Sequence, residues 1–315
     1  MAARLWNLSR SAVLASLLAA LISAPPARAQ QLGHKVLGSA GMFAGSQPDS
    51  GLYVVYQFAS YGSNEIFDRV GHSIPVPGLD LDASTNVFGL QFVFRLTHSL
   101  YFNVTAAGPI SQISANAANP EASVDDFGLG DIYVQPIKLG WKWRQADLVA
   151  GYAFYAPTGL YVPHASGSVG LGQWTHEFSL GTAVWFDRAK TWSLSVLNSY
   201  ELHQRKEGID ITRGDNFQFQ GGTGKTFRPR SQLLPRVDLG AAGYGLWQVR
   251  DDRGADLPAA LRGARDLDFG LGPELGIVVA PVRGRVTLRY VRDVTVKSRP
   301  LGHVFLVQLT ILARR

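Results

Sequence analysis

Apolar and polar residues alternate with period two along most of this chain. Trp192, Leu194, Val196 and Tyr200 fall on one face of their segment, with Ser193, Ser195, Ser199 and Glu201 on the other. Phe88, Leu90, Phe92, Phe94 and Leu96 oppose Gly89, Gln91 and Arg95. Leu267, Phe269, Leu271, Leu275 and Ile277 oppose Asp268, Gly270, Gly272, Glu274 and Gly276, and Phe305, Val307, Leu309 and Ile311 close the chain. Alternation of this kind predicts β-strands. About twelve segments carry it, near 51–63, 84–96, 98–108, 126–142, 147–157, 173–187, 191–205, 215–227, 235–250, 266–280, 283–296 and 302–313. Many exceed the roughly 5–6 residues usual in globular sheets. They reach the roughly 9–11 residues that a tilted strand needs to cross a bilayer.

The connections alternate long and short. Long ones are expected at 64–83, 109–125, 158–172, 206–214, 251–265 and, more modestly, 297–301. Tight links fall at 96–99, 187–190 and 281–284, and the link at 228–234 is longer and basic. Long external loops, short periplasmic turns and an even strand number characterise outer-membrane barrels. The polar face is made of Ser, Thr, Gly, Gln and scattered charge. It is too small and polar for the outside of a soluble barrel, so the apolar face is read as facing lipid and the polar face as lining the lumen. Parity then turns Glu177, Glu201, Asp238, Asp268, Glu274, Arg285 and Arg289 inward, with Asp131 and Gln135 added from the less regular 126–142 segment. Such charges either line a solute path or brace a side-chain-filled interior. Trp141, Trp143, Tyr155, Trp174, Trp185, Trp192, Tyr200 and Trp247 sit near strand ends, where interfacial girdles belong.

The N-terminus departs from this pattern. Residues 1–10 hold two arginines and no acid, and Ser11 to Ser23 is an almost unbroken apolar run that ends at Ala27-Arg28-Ala29. That is a signal peptide over 1–29, cleaved after Ala29. Its removal takes Arg4, Arg10 and Arg28 and lowers the formal charge from +6 to +3. Neither that balance nor any basic cluster points to nucleic acid. Residues 30–50 are glycine-rich and weakly periodic, and read either as a lumen plug or as a periplasmic tail; residues 51–315 form the barrel. Charged residues are only 17% of the chain and glycines number 34, in keeping with one all-β body: a transmembrane antiparallel up-and-down β-barrel. With no cysteine, disulfides and thiolate chemistry are excluded.

No catalytic or cofactor site emerges. Gly221-Gly-Thr-Gly-Lys-Thr226 resembles part of a phosphate-binding loop, but Phe219 stands where its first glycine belongs and no helix follows. The histidines show no metal-ligand spacing beside an acid. Ser179 and His176 lie close in one strand but on opposite faces, and no Gly-x-Ser-x-Gly elbow is present.

Several stretches resemble one family. They include Gly128-Leu-Gly-Asp-Ile-Tyr-Val-Gln-Pro136, Gly151-Tyr-Ala-Phe-Tyr-Ala-Pro-Thr-Gly159, Trp174-Thr-His-Glu177, Lys206-Glu-Gly-Ile-Asp-Ile-Thr212, Gly224-Lys-Thr-Phe227 and Gly272-Pro-Glu274. The chain looks like the family labelled putative MetA-pathway of phenol degradation, whose members are also called outer-membrane transporters or SphA-like proteins. The likeness runs in order over about residues 40–313. It implies an outer-membrane barrel, often encoded near genes for the catabolism of aromatic or other hydrophobic compounds. One departure is the C-terminal Leu312-Ala-Arg-Arg315, where such barrels commonly end on an aromatic residue.

These readings together predict an outer-membrane channel for passive uptake of small hydrophobic or aromatic compounds, without a cofactor. Its expected partners are outer-membrane lipid, lipopolysaccharide and the barrel-assembly machinery. A closed structural or surface-binding barrel is the alternative, and an outer-membrane lipid hydrolase a third.

Overall fold

The computed structural model describes residues 34–116, 124–163, 168–258 and 261–314; the expected signal peptide at 1–29 lies outside the described residues. The elements are β1 (Gly51–Phe67), β2 (Ser73–Ile74), β3 (Asp80–Arg95), β4 (Leu100–Asn116), β5 (Val124–Leu129), β6 (Ile132–Lys142), β7 (Ala146–Ala156), β8 (Thr175–Trp185), β9 (Trp192–His203), β10 (Asn216–Phe227), β11 (Arg236–Gln248), β12 (Leu267–Val279), β13 (Gly284–Lys297) and β14 (Pro300–Arg314). Each barrel strand pairs antiparallel with the next, and β14 returns to pair with β1. β2 only extends a loop, and β5 and β6 are two halves of one strand, both paired to β4. The result among the described residues is a closed twelve-stranded up-and-down barrel.

The faces obey the parity of the sequence. Phe88, Leu90, Phe92, Phe94, Phe178, Leu180, Leu194 and Leu271 are exposed on the outside, while Ser193, Ser195, Ser199, Glu201, Asp268 and Glu274 are buried. An apolar exterior around a polar interior is the inverse of a soluble barrel and suits a bilayer. At one strand end, Trp247 packs on Phe217, Phe219 and Phe269, and Trp174 packs on Phe154. Trp143 and Trp192 are exposed near the opposite ends of their strands. Two expected girdle residues prove different: Tyr155 and Trp185 are only 8% exposed and line internal cavities. Placement near a strand end says nothing about which face a ring takes.

The wall is uneven in height. β1, β3 and β4 run for 17, 16 and 17 residues, against 11 each for β6, β7 and β8. Much of the chain expected as long loops at 64–83 and 109–125 is therefore strand. The expected 297–301 loop is only the pair Ser298-Arg299 between strands. Ser298 there adopts φ 54°. Arg299 folds inward to Asp268 (3.0 Å) and Asp266 (3.3 Å). Burial alone would lower its pKa, but those two carboxylates outweigh it and hold the guanidinium more firmly protonated than usual.

The long expected strand at 126–142 breaks at Gly130-Asp131. Gly130 N–H donates to Pro109 O (2.9 Å), which keeps the wall joined to β4 through the bend. A second irregularity follows. Pairing of β6 with β7 shifts between Val134 and Ile137. This bulge places one extra residue on β6 and reverses the inside-outside parity beyond it.

Candidate functional site

Of the nine charged or amide residues expected in the lumen, eight are buried and Arg285 lines an internal cavity. They do not act alike. On the β11–β14 side they form a dense network. Asp238 is fully buried and accepts from Arg236 (2.9 Å), from Arg285 (2.8 Å) and from the Thr226 hydroxyl (2.5 Å). Arg289 donates to Glu274 at 3.1 Å. Asp293, absent from the expected set, accepts from the Tyr244 and Tyr61 hydroxyls and the Gly302 N–H. Glu201 accepts from Gln218 at 2.7 Å. Asp131 sits in the break between β5 and β6, where it accepts the N–H groups of Gly159 (2.9 Å) and Leu171 (2.8 Å) and pins those two stretches, between β7 and β8, to the wall.

The N-terminal segment 34–50 runs inside this barrel. His34 Nε2 donates to Asp131 (2.7 Å), and its ring stacks on Tyr155. Lys35 Nζ donates to Glu177 (2.6 Å) and Ser199 (2.8 Å). Leu37 packs against Tyr244, Leu246 and Val291. Gly38 O accepts from Arg289 (2.6 Å), Ala40 N–H donates to Gln220 (3.0 Å) and Met42 N–H donates to Glu274 (2.9 Å). Further down, Gly45 N–H donates to Ser195 (2.7 Å) and Ser46 to Asp147. Phe43 lies under two guanidiniums, of Arg236 and Arg285, at 5.0 and 4.6 Å.

Two glycines allow this close approach. A Cβ on Gly41 would stand 1.7 Å from a Glu274 carboxylate oxygen, and one on Gly45 would stand 2.0 Å from Thr182 O. The second collision is with backbone and cannot relax by a rotamer change. Gly45→Val is therefore expected to dislodge the lower half of the segment. Because the chain has no cysteine, Ser46→Cys can be labelled alone. Adding Gly45→Val should speed maleimide labelling of that site roughly tenfold or more, the factor for each 1.4 kcal/mol of docking lost; an unchanged rate would refute the packing argument.

The Gly221–Thr226 stretch is a piece of β10 with no phosphate cradle. Its small residues receive Met42, whose Sδ would lie 2.7 Å from a Cβ on Gly224. His176 bonds Tyr152 and Gln204, whereas Ser179 lines the lumen, so the two form no dyad.

The segment leaves space on the opposite side of the lumen. One cavity of about 310 Å³ lies beneath the 157–174 loop. Small or apolar side chains of β3 to β7 line much of it, among them Ala83, Val87, Ala107, Pro109, Ile113, Tyr133 and Tyr155. A second cavity of about 740 Å³ occupies the half of the lumen nearer the short turns. Its lining holds eight basic residues (Lys138, Lys142, Lys190, Arg228, Arg236, Arg283, Arg285, Arg289) against the acids Asp49, Asp147 and Glu274, so it is electropositive. The two cavities share Ser39, Ala40, Lys138 and Leu197, which mark the boundary between them.

Lys138 was not among the residues expected inside. Two-residue alternation from Gln135 sends it to lipid, and only the bulge beyond Val134 turns it inward. A lysine facing lipid in mid-strand is itself costly, and that was the signal available in the sequence.

The family model described as "Putative MetA-pathway of phenol degradation" matches residues 63–309. Among solved structures, the COG4313 outer membrane channel from Pseudomonas putida F1 is similar with a TM-score of 0.72 and 13% identity, covering 85% of this chain and 97% of that one. The beta domain of the Bordetella autotransporter Brka is similar with a TM-score of 0.51 and 10% identity, covering 84% and 100%. At these identities the likeness speaks for the fold, that of outer-membrane barrels. No curated protein sequence matches the chain.

Proposed function

Since the chain belongs to the family described as "Putative MetA-pathway of phenol degradation", we propose that it is an outer-membrane channel for passive uptake of small hydrophobic or aromatic compounds. The observation that carries this reading is the pair of cavities that meet at Ser39, Ala40, Lys138 and Leu197. A barrel with a purely structural role has no need to leave one side of its lumen lined by alanine, valine and tyrosine. The cavity of about 310 Å³, with apolar residues and polar groups in similar number, is large enough for a small ligand. Solute enters beneath the 157–174 loop, passes the boundary and leaves through the electropositive half. No energy coupling is involved. Residues 34–50 act as a plug that narrows the lumen, and the nine charged and amide residues divide their work. Asp131, Glu177, Glu274 and Arg289 bond the plug directly, and Glu177 and Gln135 also border the path. Lipopolysaccharide and outer-membrane lipid surround the apolar belt, and the barrel-assembly machinery inserts it.

Uptake of radiolabelled single-ring aromatics into cells with and without the gene tests the channel. Faster uptake with the gene is expected, and equal rates across a broad panel would sink the reading. The bonds that hold residues 38–42 across the lumen favour a second reading, a closed barrel. Planar-bilayer recordings that stay silent under every solute would decide for it.

A further inference from the structure

The two cavities differ in chemistry, and one side chain stands between them. Lys138 lines both, at their boundary. Among the described residues its ammonium has no hydrogen-bond or ion-pair partner. Glu177, an acid lining the same cavity, accepts from Lys35 at 2.6 Å through Oε1, and its Oε2 has no partner.

Directly across on β4, in register with Lys138, is Asn103. Asn103 is fully buried, and its Oδ1 accepts from the Thr105 hydroxyl (3.0 Å). Its amide Nδ2 has no partner. A buried amide N–H without an acceptor is costly to leave that way. On the other flank the register partner of Lys138 is Gly151, which offers no side chain to fill the space. The Asn103 amide lines neither cavity, so Lys138 alone, charged and unpartnered, stands beside open volume, between the two cavities.

We propose that Lys138 forms a carboxylate-binding site, and that the solute is an amphipathic acid: a single aromatic ring or short acyl chain bearing one carboxylate. The ring occupies the smaller cavity. The carboxylate accepts from Lys138 Nζ, a charge-assisted hydrogen bond. Beyond the site the cationic cavity draws the anion onward toward the short-turn end. This inference rests on the channel reading above and adds the class of its solute.

The test is calorimetric binding of 3-phenylpropanoate and of 3-phenylpropan-1-ol, the same ring and chain without the charge, to the full mature protein in lipid nanodiscs. The wild type is expected to bind the acid about tenfold more tightly than the alcohol, the scale of one charge-assisted hydrogen bond. Lys138→Met should erase that preference while leaving the affinity for the alcohol within about twofold, and Lys138→Arg should restore most of it. The heat-dependent gel shift of folded barrels confirms that each variant is assembled. Equal affinity for acid and alcohol in the wild type, a preference that survives Lys138→Met, or binding of neither compound would each overturn the site. Flux of the neutral alcohol into proteoliposomes separates the two levels. If the alcohol crosses and the preference is absent, the site fails and the channel stands; if neither solute crosses, the channel reading fails.

Discussion

Deleting residues 30–48 is expected to raise single-channel conductance several-fold. Eight strands make a barrel that side chains can fill, and sixteen to eighteen leave an open aqueous pore. Twelve lie between, so what stands in the lumen decides how much of it conducts. Here that occupant is residues 34–50, which bond to Asp131, Glu177, Ser195, Gln220 and Glu274 across the interior. Their removal merges the two cavities along the full inner face. Planar-bilayer recordings of the deleted and intact proteins make the comparison, and equal conductances would mean that ions already bypass the segment freely. The deletion also strips partners from Glu177, Glu274 and Arg289, so a lower midpoint for unfolding should accompany the larger current.

Arg289→Met is expected to be the most destabilising single change in the lumen, by about 3–5 kcal/mol, the usual penalty for removing one member of a buried ion pair. Arg289 is 4% exposed and Glu274 2%, so little water can replace the lost partner. The guanidinium joins β13 to β12 through Glu274 and to the N-terminal segment through Gly38 O. Glu274→Gln should be milder, since an amide oxygen still accepts the Met42 N–H. Replacing both residues by methionine should recover part of the loss, because no buried charge is then left alone. Urea unfolding in lipid, read as a double-mutant cycle, gives all three numbers. A double variant no better than Arg289→Met would show that the bond to Gly38 matters more than the charge pair.

The barrel was legible because lipid inverts the usual rule. With apolar side chains outside, every strand shows both faces in its alternation, and Phe88 to Leu96 or Trp192 to Tyr200 needed no tertiary information. Parity failed where the backbone departs from regular strand. The bulge between Val134 and Ile137 sends Lys138 inward against its expected side. Tyr155 and Trp185 were assigned by their place near strand ends, and their rings turn inward. For residues 34–50 the sequence left two readings open, a lumen plug or a periplasmic tail, with no means to choose between them. That stretch has no period, and its partners lie far along the chain, from Asp131 to Arg289. Its glycines at 41 and 45 make sense only against the wall they touch.

The seam between β1 and β14 carries a consequence for how the molecule is made. It joins Leu52 to Arg314 and Ser63 to Gly302, contacts nearly as distant in sequence as the barrel permits. Closing so long a loop is entropically slow, and long-range strand pairing is formed late. Until β14 has arrived, β1 and the newest strand each present an unpaired edge, the template for aggregation. Synthesis that stops before β14 yields an open, adhesive sheet in place of a slightly smaller barrel, so the kinetics of export must deliver that fifteen-residue strand before the first strands find another partner.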